Sequence, residues 1–276
     1  MILITGASGN VGSELVQNLI AKGVAVRALS RPEGASRLPA GVSAAAGDLN
    51  DPSSLSSAFD GADGLFLLPG YADMPGIMDR ARQAGVKHVV QLSGMSADSP
   101  DLDNAVTRYM AESERAARDS GIAWTIIRPC AFMTNAFRWL PQLRAGDVVR
   151  LPFAAVRTAL IDPVDIAEVA ATALTTSHHE GRIYSISGPE SLAPAGQVAI
   201  LGQALGRDLR FEAQPDDEAR AEMSKSMPAK YVDAFFRFYV DGTLDESKVL
   251  PAVHALTGRP PRSFAQWAAD HAGAFG

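Results

Sequence analysis

The residues with the clearest chemical meaning stand at the start of the chain, where Thr5-Gly6-Ala7-Ser8-Gly9-Asn10-Val11-Gly12 places a glycine at every third position. A short apolar run over 2–5 precedes this octet and an amphipathic segment over 11–21 follows it, so the octet is a turn from strand to helix. Glycines there let the chain reverse sharply and let a diphosphate come close to backbone N–H groups at the helix N-terminus, where the helix dipole favours an anion. The chemistry expected of Gly6, Ser8, Gly9, Asn10, Val11 and Gly12 is therefore dinucleotide binding. A purely structural tight turn is the competing reading, and further strand–helix units downstream argue against it.

Which dinucleotide is bound is decided at the end of the second strand. A carboxylate at that point would hydrogen-bond the ribose 2′-hydroxyl of NAD, but the sequence there is Ala28-Leu29-Ser30-Arg31. With no acid present and a guanidinium available for a 2′-phosphate, NADP(H) is the expected cofactor. The competing reading of Arg31 is an ordinary solvated surface arginine; its position carries the argument. Asp48 and Leu49, in Gly47-Asp48-Leu49 just past the third strand, fall where a side chain could meet the adenine edge, while Asp48 could instead cap the following helix.

These residues need a scaffold that presents strand ends side by side. Short apolar runs over 2–5, 24–29, 42–46, 64–68, 88–92 and 124–127 alternate with amphipathic stretches over 11–21, 52–59, 74–84 and 104–119, the pattern of a parallel sheet covered on both faces. Gly23, Gly61, Gly85 and Gly121 stand at helix C-caps. After Arg128 the alternation loosens, and Pro129, Pro141 and Pro152 interrupt an aromatic stretch. A helix starting at the Asp162 cap runs to 173, and 182–186 reads as another strand. Helical segments follow from 191, with the aromatic run Tyr231, Phe235, Phe236, Phe238, Tyr239 serving as core or as pocket wall, and a last helix at 263–271. The expected architecture is α/β: a Rossmann-type doubly wound parallel sheet over 1–150, completed by 158–187, and a smaller, mainly helical substrate-binding lobe over 188–276.

Composition narrows the partners. A net charge of −6 gives no basic stripe for nucleic acid, and no apolar stretch reaches the length of a membrane span. One cysteine, Cys130, allows no intrachain disulfide, and the opening residues carry no secretory pattern, so the cytoplasm is expected. The five histidines show no metal-ligand spacing, and no metal is expected. Homodimer formation is left open.

The TGxxGxxG turn, Arg31, the Gly47-Asp48-Leu49 step and the helix Asp165-Ile166-Ala167-Glu168-Val169-Ala170 together resemble the NmrA-like atypical short-chain dehydrogenase/reductases. Ser120-Gly121-Ile122 and Ile127-Arg128-Pro129, followed by Phe132 and Asn135, look most like NADPH-dependent quinone and dye reductases within that group. The resemblance implies a substrate cleft between sheet and lobe. It puts Ser8, Asn10 and Val11 along the diphosphate, Leu68 and Pro69 near the ribose, the segment from Pro129 to Phe132 beside the nicotinamide, and Ser93 near the active-site polar groups.

The departure lies in catalysis. The superfamily's Tyr-x-x-x-Lys pair is missing: Tyr109 is followed four residues later by Ser113, and no lysine occurs between Lys87 and Lys225. Tyr109 and Tyr71 remain as proton donors, or as buried structural tyrosines; Ser93 is a candidate polar group or a turn residue. The expectation is an NADPH-dependent oxidoreductase that reduces a small electrophile (quinone, imine or conjugated carbonyl) by direct hydride transfer. The alternative of another class is a non-catalytic NADP(H)-sensing regulator, and a nucleotide-sugar epimerase ranks last because it needs the missing pair.

Overall fold

A computed structural model of the protein describes residues 1–30, 38 and 42–275; Arg31 lies outside the described residues. Among the described residues there are nine strands: β1 (Ile2–Ile4), β2 (Val26–Ser30), β3 (Ser43–Ala46), β4 (Gly64–Leu67), β5 (His88–Leu92), β6 (Ala123–Pro129), β7 (Val148–Leu151), β8 (Arg182–Ile186) and β9 (Arg210–Ala213). Seven form one sheet in the order β3-β2-β1-β4-β5-β6-β8, with every pairing parallel. The chain builds outward from β1 to β3 and then returns to build outward from β4. The carboxyl ends of β1 and β4 therefore flank the switch point where doubly wound sheets bind ligands.

Alternation along the strands divides their side chains between two cores. Ile2, Ile4, Phe66, Val90 and Leu92 face one side. There they meet α1 (Asn10–Ala21) through Val11, Leu15 and Leu19, and further along the chain α6 (Pro163–Thr175) through Ile166 and Ala170. Leu3, Leu65, Leu67 and Val89 face the other side, covered by α2 (Ser56–Phe59), α3 (Met74–Gln83) and α4 (Ala105–Asp119). Each buried leucine or isoleucine on these faces stabilises the fold by roughly 1.5–3 kcal/mol relative to exposure.

The remaining helices are α5 (Leu140–Ala145), α7 (Pro194–Leu205), α8 (Asp216–Met223), α9 (Ala229–Tyr239), α10 (Ala252–Thr257) and α11 (Phe264–Asp270). A third core joins Met133, Trp139, Leu143 and Val149 to Leu201, Phe264 and Trp267, and β7 pairs with β9 in a separate parallel ribbon. Residues 133–151, which the sequence places at the end of the first unit, thus pack with the lobe. Their aromatic side chains have no sheet face left to cover. In the opposite sense, Val253 of α10 belongs to the first core. The chain thus passes between sheet and lobe more than once.

Candidate active site

The glycine turn has little room for anything but glycine. Gly6 adopts φ +65°, and a Cβ on Gly12 would stand 2.0 Å from the Gly6 carbonyl oxygen. Gly9 is the N-cap of α1 and offers no side chain to the first-turn N–H groups, and no acidic residue lies in that turn. The helices α3, α4 and α6 are instead capped by the side chains of Asp73, Asn104 and Asp162. A helix start left without an internal acceptor is suited to an external anion. Ser8, Gly9 and Asn10 are exposed there, while Val11 and Gly12 are buried, so Val11 can offer only its backbone. These residues fit the diphosphate of a dinucleotide.

Neighbouring strand ends extend the floor. Thr5 Oγ1 accepts from the Leu68 N–H at 3.0 Å, and the Leu68 side chain lies directly over Gly6, bringing Leu68 and Pro69 beside the turn. Past β6, the Cys130 N–H donates to Ile186 at 2.9 Å and Met133 N–H to Ile161 at 2.9 Å, fixing the segment after Pro129. Asn10 Nδ2 donates to Thr134 Oγ1 at 3.1 Å, so the turn and this segment meet. At the other end, Leu49 has its side chain in the second core, whereas Asp48 is exposed. Asp48 accepts from the Asn50 N–H at 2.9 Å, and the cap of the next helical turn is Asp51, not Asp48.

The two candidates for proton transfer are differently placed. Ser93 is buried and its hydroxyl donates to Glu114 Oε1 at 2.7 Å. Glu114 also receives Arg128 at 2.8 and 2.9 Å, and Arg128 reaches Asp98 at 2.6 Å. The carboxylates hold the guanidinium's proton affinity above its ordinary value. Ser93 therefore anchors this charge cluster with its one proton. Tyr109 lies over Gly70, edge-on to Tyr231 of α9 at 6.4 Å, and lines a cavity of about 650 Å³ between α3 and α4 together with Tyr71. Burial raises its pKa, with Tyr231 adding to the effect, so its phenol stays protonated at neutral pH.

Met133 and Trp139, which could have plugged the cleft, are turned into the third core, and Phe132 packs against the first. Among the described residues no group of three or more His, Cys, Asp or Glu is placed to hold a metal ion, and no helix is long and apolar enough to cross a membrane. Cys130 is buried and free; burial pushes its thiol pKa up strongly, which makes it a packing residue, not a nucleophile. Sequence reasoning passed over Glu246, which lies in an irregular stretch yet is buried and accepts from the Tyr239 hydroxyl at 2.9 Å. It also passed over Glu114 as the partner of Arg128, although an acid at a buried position of an amphipathic helix was a usable signal.

The sheet order and the uncapped glycine turn at its switch point define a dinucleotide-binding α/β protein. The chain belongs to the NAD(P)H-binding family, whose model matches residues 6–177, and it is an NAD(P)H-dependent oxidoreductase. It is 40% identical over 279 residues to a Streptomyces griseus protein named (4-alkanoyl-5-oxo-2,5-dihydrofuran-3-yl)methyl phosphate reductase, covering 100% of this chain and 99% of that one. It is 36% identical over 285 residues to the NAD(P)H azoreductase of Xenophilus azovorans, with 100% and 99% covered. Among solved structures, the NADPH complex of an Escherichia coli NADPH-dependent quinone oxidoreductase superposes with a TM-score of 0.81 at 23% identity, covering 98% and 99% of the two chains. These findings agree with the NmrA-like resemblance.

Proposed function

We propose that the protein reduces a small electrophile, a quinone, an imine or a conjugated carbonyl, with NADPH as the hydride source. The observation that carries this reading is the α1 N-terminus at the switch point of the sheet, free of any side-chain cap, with Met133 and Trp139 turned into the third core. Among the three acceptor classes a conjugated carbonyl is favoured, because the 40%-identical relative is named for a substrate of that kind.

When bound, the cofactor supplies the hydride. Backbone N–H groups of Ser8 to Val11 would hold the diphosphate, Leu68 and Pro69 would flank the ribose, Asp48 and the backbone of Leu49, whose side chain is in the second core, would lie at the adenine end, and Arg31 would take the 2′-phosphate. Pro129 to Phe132 border the nicotinamide and keep water from it. Positioning of this kind suffices for an acceptor that is already electrophilic. The division of labour is cofactor on the sheet, over 1–130 and 158–187, and substrate under the lobe. We place the protein in the cytoplasm, consistent with a single free, buried cysteine, acting on small molecules and not on nucleic acid; a homodimer is the assembly to test first.

The second reading is a cofactor sensor without turnover, favoured by the missing tyrosine–lysine pair. Deuterium-labelled NADPH separates the two. Deuterium appearing in the reduced acceptor supports direct hydride transfer. Tight NADPH binding with no labelled product from any of the three acceptor classes supports the sensor.

A further inference from the structure

Four acids are buried in the described structure: Glu114, Asp162, Asp165 and Glu246. Three of them face a guanidinium, Glu114 that of Arg128, Asp162 that of Arg262 and Asp165 that of Arg259. Glu246 has no ion pair among the described residues. An ionised carboxylate left without a cation in the interior is costly, and the usual outcome is that it keeps its proton.

Its surroundings are specific. Tyr239 Oη donates to Glu246 Oε2 at 2.9 Å. The Glu246 carbonyl accepts from Ala159 N–H at 2.7 Å and lies 3.9 Å from Cys130 Sγ, and the backbone N–H of Ala131 faces the carboxyl group. Glu246 is therefore fastened against Cys130 and Ala131, the first residues past the carboxyl end of β6. In a doubly wound sheet that edge faces the ligand. Tyr239 is half-buried as a residue, its ring standing 5.2 Å from Phe153 and stacked at 6.3 Å on Phe235. Phe153 is held at φ 55°, a conformation unfavourable for an aromatic residue and frequent at functional sites.

We propose that Tyr239 and Glu246 form the proton relay of the reduction, Tyr239 protonating the acceptor and Glu246 resupplying Tyr239; this rests on the reductase reading above. Hydride addition leaves an electron pair on the acceptor's oxygen, nitrogen or activated carbon. The new bond to hydrogen forms there as the Tyr239 O–H bond breaks. For this the Tyr239 hydroxyl turns its proton from Glu246 to the acceptor; the phenol oxygen then takes the proton of the Glu246 carboxyl group, and Glu246 regains one from water. Two electrons come from the cofactor's hydride and the added proton ultimately from solvent, so the step balances. A neutral acid behind the tyrosine takes the place of the missing lysine, in the direction a reduction needs.

Burial raises the Glu246 pKa, opposed by the Tyr239 hydroxyl and the Ala131 N–H. Burial raises that of Tyr239 further, with Glu246 and Cys130 adding to it and Arg138 opposing. Asp245 next door is exposed and lies by Lys248.

The test uses the full chain and the near-isosteric variants Glu246→Gln and Tyr239→Phe. In the wild type kcat falls as pH rises through the Glu246 pKa, because the ionised carboxylate cannot resupply the proton. Glu246→Gln loses that dependence, and either variant loses about 10²-fold or more in kcat, while NADPH affinity remains that of the wild type and thermal melting of Glu246→Gln matches it at pH values where Glu246 keeps its proton. Independently of turnover, the unliganded wild type shows an infrared carboxylic-acid band that persists to higher pH than that of an exposed carboxyl group and is missing in Glu246→Gln. Wild-type kcat and pH profile in both variants, or absence of that band, overturns the relay. If the wild type reduces no acceptor, the reductase reading falls, and the infrared band alone then decides whether Glu246 carries the proton.

Discussion

The side-chain amide of Asn10 donates to the hydroxyl of Thr134 at 3.1 Å, joining the first turn of α1 to the segment after β6 across 124 residues of sequence. Both ends border the proposed cofactor site, so the bond ties the glycine turn to the segment after β6 there.

Asn10→Ala should therefore raise the KM for NADPH by about fivefold, the worth of one ordinary hydrogen bond of roughly 1 kcal/mol, with a smaller change in kcat. Thr134→Val should do the same, and the double variant should be no worse than either single one. Additive losses in steady-state kinetics would mean that the two side chains act separately.

Gly12→Ala should weaken both stability and cofactor binding, because the added methyl would stand 2.0 Å from the Gly6 carbonyl oxygen and the turn would have to open. Gly146→Ala, where nothing lies within 4 Å of the added carbon and φ is not left-handed-helical, is the control. Thermal melting with and without NADPH checks both: the ligand-induced rise in Tm should shrink in Gly12→Ala alone.

Removing Arg128 should destabilise the protein without being a catalytic lesion in itself. Glu114 would lose Arg128 but keep Arg118 at 2.5 Å, so the loss should fall below the roughly 3–5 kcal/mol of a fully orphaned buried charge. Arg128→Met measured by denaturant unfolding should show it. Ser93→Ala should cost only about 1 kcal/mol and keep kcat near wild type, since its proton is engaged by Glu114. A large kcat loss in Ser93→Ala with unchanged stability would return Ser93 to the chemistry.

Stability should also depend on pH through Glu246. Its pKa is raised on folding by burial, so between the unfolded and folded values the native state binds more protons. The stabilisation is fully present below the unfolded pKa and is lost as pH rises through the folded one. Glu246→Gln should lack this decline, and unfolding free energies of the two proteins should diverge in the variant's favour as pH rises.

Much of the sheet was legible because its signals are local. Strands such as β4 and β5 are apolar on both faces and bounded by turns, and the Gly6-to-Gly12 spacing has a geometric reason that one sequence displays. The lobe was less legible. Residues 133–151 read as a continuation of the first unit, since nothing local says that Trp139 and Val149 will meet Trp267 and Phe264 far along the chain. Ser93 and Arg128 could be picked out by position, but their convergence on Glu114 is a tertiary fact. Tyr239 read as one aromatic among five, because its partner Glu246 stands in a stretch without periodicity.

Arg31 carries the choice of cofactor in this account. Arg31→Ala should raise the KM for NADPH by about tenfold or more, the worth of one or more charge-assisted hydrogen bonds at roughly 1.5–3 kcal/mol each, and leave any activity with NADH untouched. Equal losses with both cofactors would remove Arg31 from 2′-phosphate recognition.

The most direct test of the central claim is oxidation of NADPH by the purified protein across a panel of quinones, imines and conjugated carbonyls, with NADH run in parallel. The account predicts turnover of at least one acceptor class with a clear preference for NADPH. Tight NADPH binding with no turnover of any acceptor would contradict it.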